Sequence, residues 1–130
     1  MQYKGKVVII TGAGRPAPLQ DGTPGSIGYG IATAFAKEGI RGMSRVAATE
    51  WGPDGINVNV ICPLAWTAQL ENFQKAYPEA FAANVHMPPM GRFGNTELDI
   101  GRVCVQLASP DFKFMSGETL TLEGGMGLRP

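Results

Sequence analysis

The residues of this chain best placed to do chemistry are glycines that follow a short apolar run, together with a serine and a glycine that open a helix. Val7-Val8-Ile9-Ile10 leads at once into Thr11-Gly12-Ala13-Gly14, and Gly25-Ser26-Ile27-Gly28 begins the first regular helical spacing. A glycine-rich turn between a buried strand and a helix suits phosphate. The glycines let the backbone approach an anion, and the helix N-terminus offers free N–H groups and the positive end of its dipole. Gly12 to Ala17 fits Gly-x-Gly-x-x-Ala, yet prolines follow where a helix should start. The workable cradle therefore joins Gly12 and Gly14 at the strand end to Ser26 and Gly28 at the helix start. The alternative is an ordinary tight turn. An acid about 20 positions beyond such a turn would hold the adenosine ribose, at the end of a second strand. Here no strand comes before residue 56, and Glu38 falls inside the helical region. The choice between NAD and NADP stays open.

Other chemistries lack their residues. His86, the single histidine, has no cysteine or carboxylate at metal-ligand spacing, so no metal site is expected and His86 is a surface or loop residue. No Gly-x-Ser-x-Gly elbow surrounds a serine, and no Gly-Lys-Ser/Thr follows a glycine-rich stretch. Cys62 and Cys104 sit in apolar contexts and read as buried free thiols of a reducing compartment. The stretch from Ala65 to Phe93 holds Trp66, Phe73, Tyr77, Phe81 and His86; it could line a hydrophobic pocket, close as a lid or contact a second copy.

The elements that would position these groups follow from periodicity. Residues 7–10, 57–61 and 119–122 are β-branched or alternating runs bounded by turn residues, the mark of strands. The proline-rich stretch 15–24 is a loop insertion. Helical spacing runs from about residue 26 until Trp51-Gly52-Pro53-Asp54-Gly55 stops it. Within it, Ile27, Ile31, Ala34 and Phe35 share one face, while Ile40, Met43, Val46, Ala47 and Trp51 centre about 160° away. The helix must either break at Gly39 or pack its halves against different things. Helical segments between Thr67 and Val85 divide at Tyr77-Pro78. A last helix starts at Thr96 as cap, with Asp99 three residues on, and buries Ile100, Val103, Cys104 and Leu107. Strands alternating with helices predict an α/β fold, a truncated Rossmann-like three-layer domain with a parallel sheet of about three strands, spanning 1–130.

Composition agrees with that reading. Eighteen glycines and ten prolines among 130 residues are roughly twice the ordinary share. With 44% hydrophobic residues the chain can still build a core. Eleven basic residues offset eleven acidic ones, so no net field steers the chain onto nucleic acid or anionic membrane. No apolar run reaches the roughly 20 residues of a membrane span. A cytoplasmic location is the expectation.

The motifs resemble those of the short-chain dehydrogenase/reductases over nearly the whole chain. Lys6 to Gly14 looks like that family's first strand and Thr-Gly turn, and Gly25 to Ala32 like its Gly-Ile-Gly helix start, with Ser26 at the middle glycine. Gly39 to Gly52 resembles the long helix after the catalytic lysine. Gly55 to Pro63 resembles the next strand with its Pro-Gly end, Leu64 replacing the glycine; Pro89 to Gly94 and Gly117 to Gly125 match the C-terminal part. The resemblance implies a nicotinamide cofactor, NAD or NADP, held by Thr11, Gly12, Gly14, Ser26, Ile27, Gly28, Pro63 and Leu64. It also implies a sheet of six or seven strands in a chain about twice as long. Family strands two to five, the Asn-Ala-Gly segment, the catalytic serine and the Tyr-x-x-x-Lys are missing, and the phase reversal at Gly39 is what such a junction would produce.

Lys37 stands at the family's lysine position, and four residues before it is Thr33. After Tyr3, Tyr29 and Tyr77, the residues four later are Val7, Thr33 and Phe81. The family's reaction needs a tyrosine hydroxyl as proton donor, with the lysine lowering its pKa. Three outcomes follow: a diminutive member that keeps part of the cofactor turn but is inactive alone, an oxidoreductase whose site is completed across subunits, or an interaction module. Each expects company, either a homo-oligomer (dimer or tetramer) or a full-length relative, because a short sheet leaves edges open.

Overall fold

The computed structural model describes residues 6–10 and 27–127. The chain runs β1 (Lys6–Ile10), α1 (Ile27–Trp51), β2 (Asn57–Pro63), α2 (Ala68–Ala76), α3 (Pro78–Asn84), α4 (Arg102–Leu107) and β3 (Thr119–Leu122). The three strands form one parallel sheet in the order β1-β2-β3, so the expected α/β architecture with a short parallel sheet is what the chain adopts. Register runs from Lys6↔Asn57 to Ile10↔Ile61 on one side of β2 and from Val60↔Thr119 to Pro63↔Leu122 on the other. The proposed loop insertion at 15–24 lies outside the described residues.

The core sits on the central strand. Val58, Asn59, Val60, Ile61 and Cys62 are all buried, and Leu107 of α4 joins them. A strand paired on both sides and covered on both faces must be apolar at successive positions, which Val58-Val60-Ile61-Cys62 nearly satisfies. The polar exceptions have work to do. Asn57 Nδ2 donates to the carbonyls of Lys113 (2.8 Å) and Met115 (2.9 Å), and Asn59 Nδ2 donates to the Met115 carbonyl at 2.9 Å. Asn59 Oδ1 accepts from the Glu118 N–H, and Ser116 Oγ accepts from the Val58 N–H. These bonds tie the irregular stretch before β3 to the amino half of β2, which aligns β3 for pairing.

Of the two alternatives at Gly39, helix α1 does not take the break. It is continuous from Ile27 to Trp51, with no break at Gly39. The face expected to be buried in its second half packs only in part. Ser44 is buried, while Met43 and Val46 are 74% and 57% exposed and Trp51 is exposed. The Ser44 hydroxyl donates to the Ile40 carbonyl at 2.7 Å, so this small polar residue enters the interior with its donor satisfied. Residues 40, 44 and 47 therefore form the inward line, so Ile40 and Ala47 of the expected face do pack while Met43, Val46 and Trp51 do not. The stop at residues 51–55 holds. Gly55 takes φ 74°, a left-handed conformation that favours glycine, and its N–H bonds the Gly52 carbonyl at 2.9 Å.

The last helical region also differs from its prediction. Asn95, not Thr96, is the cap: its Oδ1 accepts from the N–H groups of Glu97 and Leu98. A wide π-type turn over Thr96–Gly101 precedes α4. Of the expected stripe, Leu107 is buried and Ile100, Val103 and Cys104 are half-buried. Both cysteines are free thiols, Cys62 buried and Cys104 half-buried. Among the described residues no helix is long and apolar enough to cross a membrane, and no cluster of histidine, cysteine and carboxylates could hold a metal ion.

Candidate functional site at the carboxyl edge of the sheet

All three strands point the same way, so their carboxyl ends share one edge, where open α/β sheets take ligands. At that edge Pro63 pairs with Leu122, and the Leu64 N–H donates to the Leu122 carbonyl at 2.9 Å. Beyond it the chain continues as a strap against a second segment. Ala65 and Gly94 form a parallel bridge, with Trp66 N–H to Gly94 carbonyl at 2.8 Å and Gly94 N–H to Leu64 carbonyl at 3.3 Å. Only glycine fits there, because a Cβ on residue 94 would lie 2.9 Å from the Leu64 carbonyl oxygen. The same segment is tied to the end of β3 by the Met90 N–H, which donates to the Gly124 carbonyl at 3.1 Å.

A cavity of about 350 Å³ opens between these strands, lined by Leu64, Met90, Arg92, Asp99, Leu122 and Glu123 among others. Arg92 and Asp99 form a bidentate ion pair at 2.6 and 3.0 Å, and Asp99 Oδ2 also accepts from the Asn95 N–H at 2.6 Å. The Arg92 guanidinium also donates to the Phe93 carbonyl at 3.2 Å. Its hydrogen bonds and the Asn95 N–H hold the Asp99 carboxyl at about 2, below its ordinary 3.8. Two linked turns are thereby locked into one wall of the cavity.

A carboxylate whose pKa falls on folding stabilises the fold above its unfolded value and loses that effect as pH drops through its folded value. The Asp99 contribution is therefore present above pH 3.8 and lost as pH falls through about 2. Asp99→Asn is expected to flatten the acid limb of the thermal midpoint between pH 5 and about 2. Wild-type and variant curves that stay parallel across that window would contradict this.

The aromatic stretch packs mainly on itself. Trp66 meets Phe81 edge-on at 6.2 Å and Phe93 at 5.5 Å, while Phe73 lies 6.0 Å from both Tyr77 and Phe81. This cluster seats α2 and α3 on the strap at Phe93. The Thr67 hydroxyl caps α2, and Pro78 opens α3 as expected. His86 is exposed in a loop.

Of the residues expected to hold a cofactor, Pro63 and Leu64 lie at this edge, and Leu64 lines the cavity. Ile27 and Gly28 are the first two residues of α1. Lys37 lies further along the same helix, with Thr33 one turn before it. Thr11, Gly12, Gly14 and Ser26 lie outside the described residues. The sequence reading missed Asp99 and Glu123 as cavity residues. Arg92 and Asp99 are seven apart across a turn, a spacing that advertises nothing until the turn is known.

The family model described as enoyl-(acyl carrier protein) reductase matches residues 21–127. The chain belongs to the short-chain dehydrogenase/reductase family. This short-chain dehydrogenase/reductase chain is 78% identical over 97 residues to a 12alpha-hydroxysteroid dehydrogenase of Clostridium sp. (strain ATCC 29733 / VPI C48-50), an alignment covering 75% of the chain and 38% of that relative. It is 36% identical over 97 residues to 3beta-hydroxysteroid dehydrogenase 1 of Eggerthella lenta, covering 75% of the chain and 37% of the relative. Among solved structures it superposes on Pseudomonas aeruginosa RhlG in its NADP active-site complex (TM-score 0.65, 27% identity, 95% of this chain and 46% of that one). ElxO with NADP bound gives a TM-score of 0.69 at 26% identity, over 95% of this chain and 46% of ElxO. The chain thus spans less than two-fifths of the length of the curated relatives and under half of the solved ones.

Proposed function

We propose that this chain is a nicotinamide-nucleotide-binding member of its family, with hydroxysteroids as its ligand class, and that it does not transfer hydride by itself. The observation that carries the second half is the missing acid. No tyrosine in the sequence has a lysine four residues later, and Thr33 stands one turn before Lys37. An aliphatic hydroxyl is a far weaker acid than a phenol and cannot readily protonate a carbonyl oxygen. Tyr29 is eight residues from Lys37, about 12 Å along a helix.

The cofactor half rests on the NADP-bound structures that the fold resembles and on what stands at the carboxyl edge. Half-buried Pro63 and Leu64 offer an apolar wall suited to the ring end of a nicotinamide nucleotide. When bound, such a nucleotide supplies the hydride chemistry. Thr11, Gly12, Gly14, Ser26, Ile27 and Gly28 would hold its phosphates, and the NAD/NADP preference is left to measurement. Titration with NADPH and NADH, followed by tryptophan quenching, tests this half: saturation in the micromolar range is expected, and its absence overturns it. The hydroxysteroid class comes from the two dehydrogenases with which the chain aligns.

We further propose self-association through α1. Phe35, Met43 and Val46 fall on one stripe of that helix and are exposed. Gly39 and Gly42 lie beside them with open space around their Cβ positions, so a second helix can approach closely. Met43→Glu is expected to shift the chain toward monomer in light scattering. A wild-type chain already monomeric at high concentration would refute it.

A further inference from the structure

We infer that the cavity beyond β2 and β3 binds a hydroxyl-bearing apolar molecule and that the Glu123 carboxylate accepts the hydrogen bond from its hydroxyl; the ligand class rests on the hydroxysteroid reading above. The volume, about 350 Å³, falls within the range of roughly 300–1,000 Å³ typical of small-molecule sites. Leu64, Met90 and Leu122 give it apolar walls, and Thr121 and Glu123 are polar lining. A mostly apolar site with few polar groups is what selects an apolar ligand and orients it.

Charge on the lining is unevenly spent. Arg92 and Asp99 balance each other's charge in a bidentate pair, so neither presents an uncompensated charge to a ligand. Glu123 is half-buried, and its carboxylate makes no hydrogen bond or ion pair among the described residues. Gly127 leaves room for that carboxylate, since a Cβ there would lie 2.5 Å from Glu123 Oε2. A partly desolvated acceptor without a donor gains most from a ligand that brings one. An alcohol does so without adding a like charge, whereas an anionic ligand would be repelled. The strap at Gly94 and the Arg92–Asp99 pair hold the facing wall in place, so the site needs little reorganisation.

The test uses the full chain carrying Trp51→Phe, which leaves Trp66, beside the strap, as the single tryptophan reporter. The probes are a neutral 12α-hydroxysteroid and the same steroid without that hydroxyl. Saturable quenching by the hydroxylated probe is expected. Removal of the hydroxyl and Glu123→Ala should each weaken binding about ten-fold, and together no more than either alone. Glu123→Gln, which keeps the shape and an acceptor, should fall between wild type and alanine. Equal affinity in wild type and Glu123→Ala, equal affinity for both probes, or no saturation overturns the inference. NADPH titrated into the same samples reports the cofactor reading separately. Steroid binding without NADPH binding sinks that reading and leaves the site standing, while NADPH binding without steroid binding does the reverse.

Discussion

Ile61→Ala is expected to lower the unfolding free energy by about 3 kcal/mol, within the range of roughly 2–5 kcal/mol found for large-to-small changes in cores. Ile61 is fully buried, at 0% exposure, in the one strand that the sheet pairs on both sides. Val58 and Val60 are the other large side chains buried as completely, so the described core is narrow and the loss has little to spread into. Against a typical total of about 5–15 kcal/mol for a domain, one such change removes a large fraction. The thermal midpoint should drop by roughly 10 °C for a domain of this size. Phe35→Ala, on a side chain 75% exposed, is the control and should stay within about 0.5 kcal/mol of wild type in a monomeric sample. Urea melts of both decide it. Equal losses from the two would show that β2 is not the centre of the core.

Asn59→Ala is expected to cost about 2 kcal/mol, because a buried polar group left unpaired is penalised by roughly 1–3 kcal/mol. Asn59 is 4% exposed and makes two bonds, one donated to the Met115 carbonyl and one accepted from the Glu118 N–H. Removing it strands the Glu118 N–H beside the sheet. Met115 keeps one donor, since Asn57 Nδ2 reaches the same carbonyl at 2.9 Å. The pair should therefore couple. With both asparagines replaced by alanine, Met115 loses both donors, and the double variant should lose more than the two single losses combined. Strict additivity in denaturant melts would mean that the stretch before β3 is held by something else.

How much could be read from residues alone depended on the physical signal. The strands were legible because β-branched runs between turn residues have few other uses, and the parallel order follows once helices separate them. Trp51 to Gly55 announced its stop through proline and a left-handed glycine. The packing side of α1 was legible only at Ile40 and Ala47. It depends on Ser44 satisfying its own hydroxyl, whereas the more hydrophobic Met43 and Val46 remain outside. The cap at Asn95 was missed by one residue because threonine and asparagine are both good caps, and the reach of Asp99 back to the Asn95 N–H decides between them. For the candidate site, family likeness pointed to Pro63 and Leu64, and the structure puts both at the carboxyl edge, with Leu64 lining the cavity. The cavity walls at Arg92, Asp99 and Glu123 were not legible, because their meeting depends on the strap at Gly94, a long-range contact with no local pattern.

At the centre stands the proposal that this chain, which has its family's fold at the carboxyl edge of β2, does not transfer hydride by itself. The most direct measurement is the oxidation of a 12α-hydroxysteroid with NADP⁺ or NAD⁺ by the purified full chain, followed by absorbance of the reduced nucleotide. No formation above the protein-free rate is predicted at any nucleotide concentration that saturates binding. Turnover that scales with protein concentration would contradict the account.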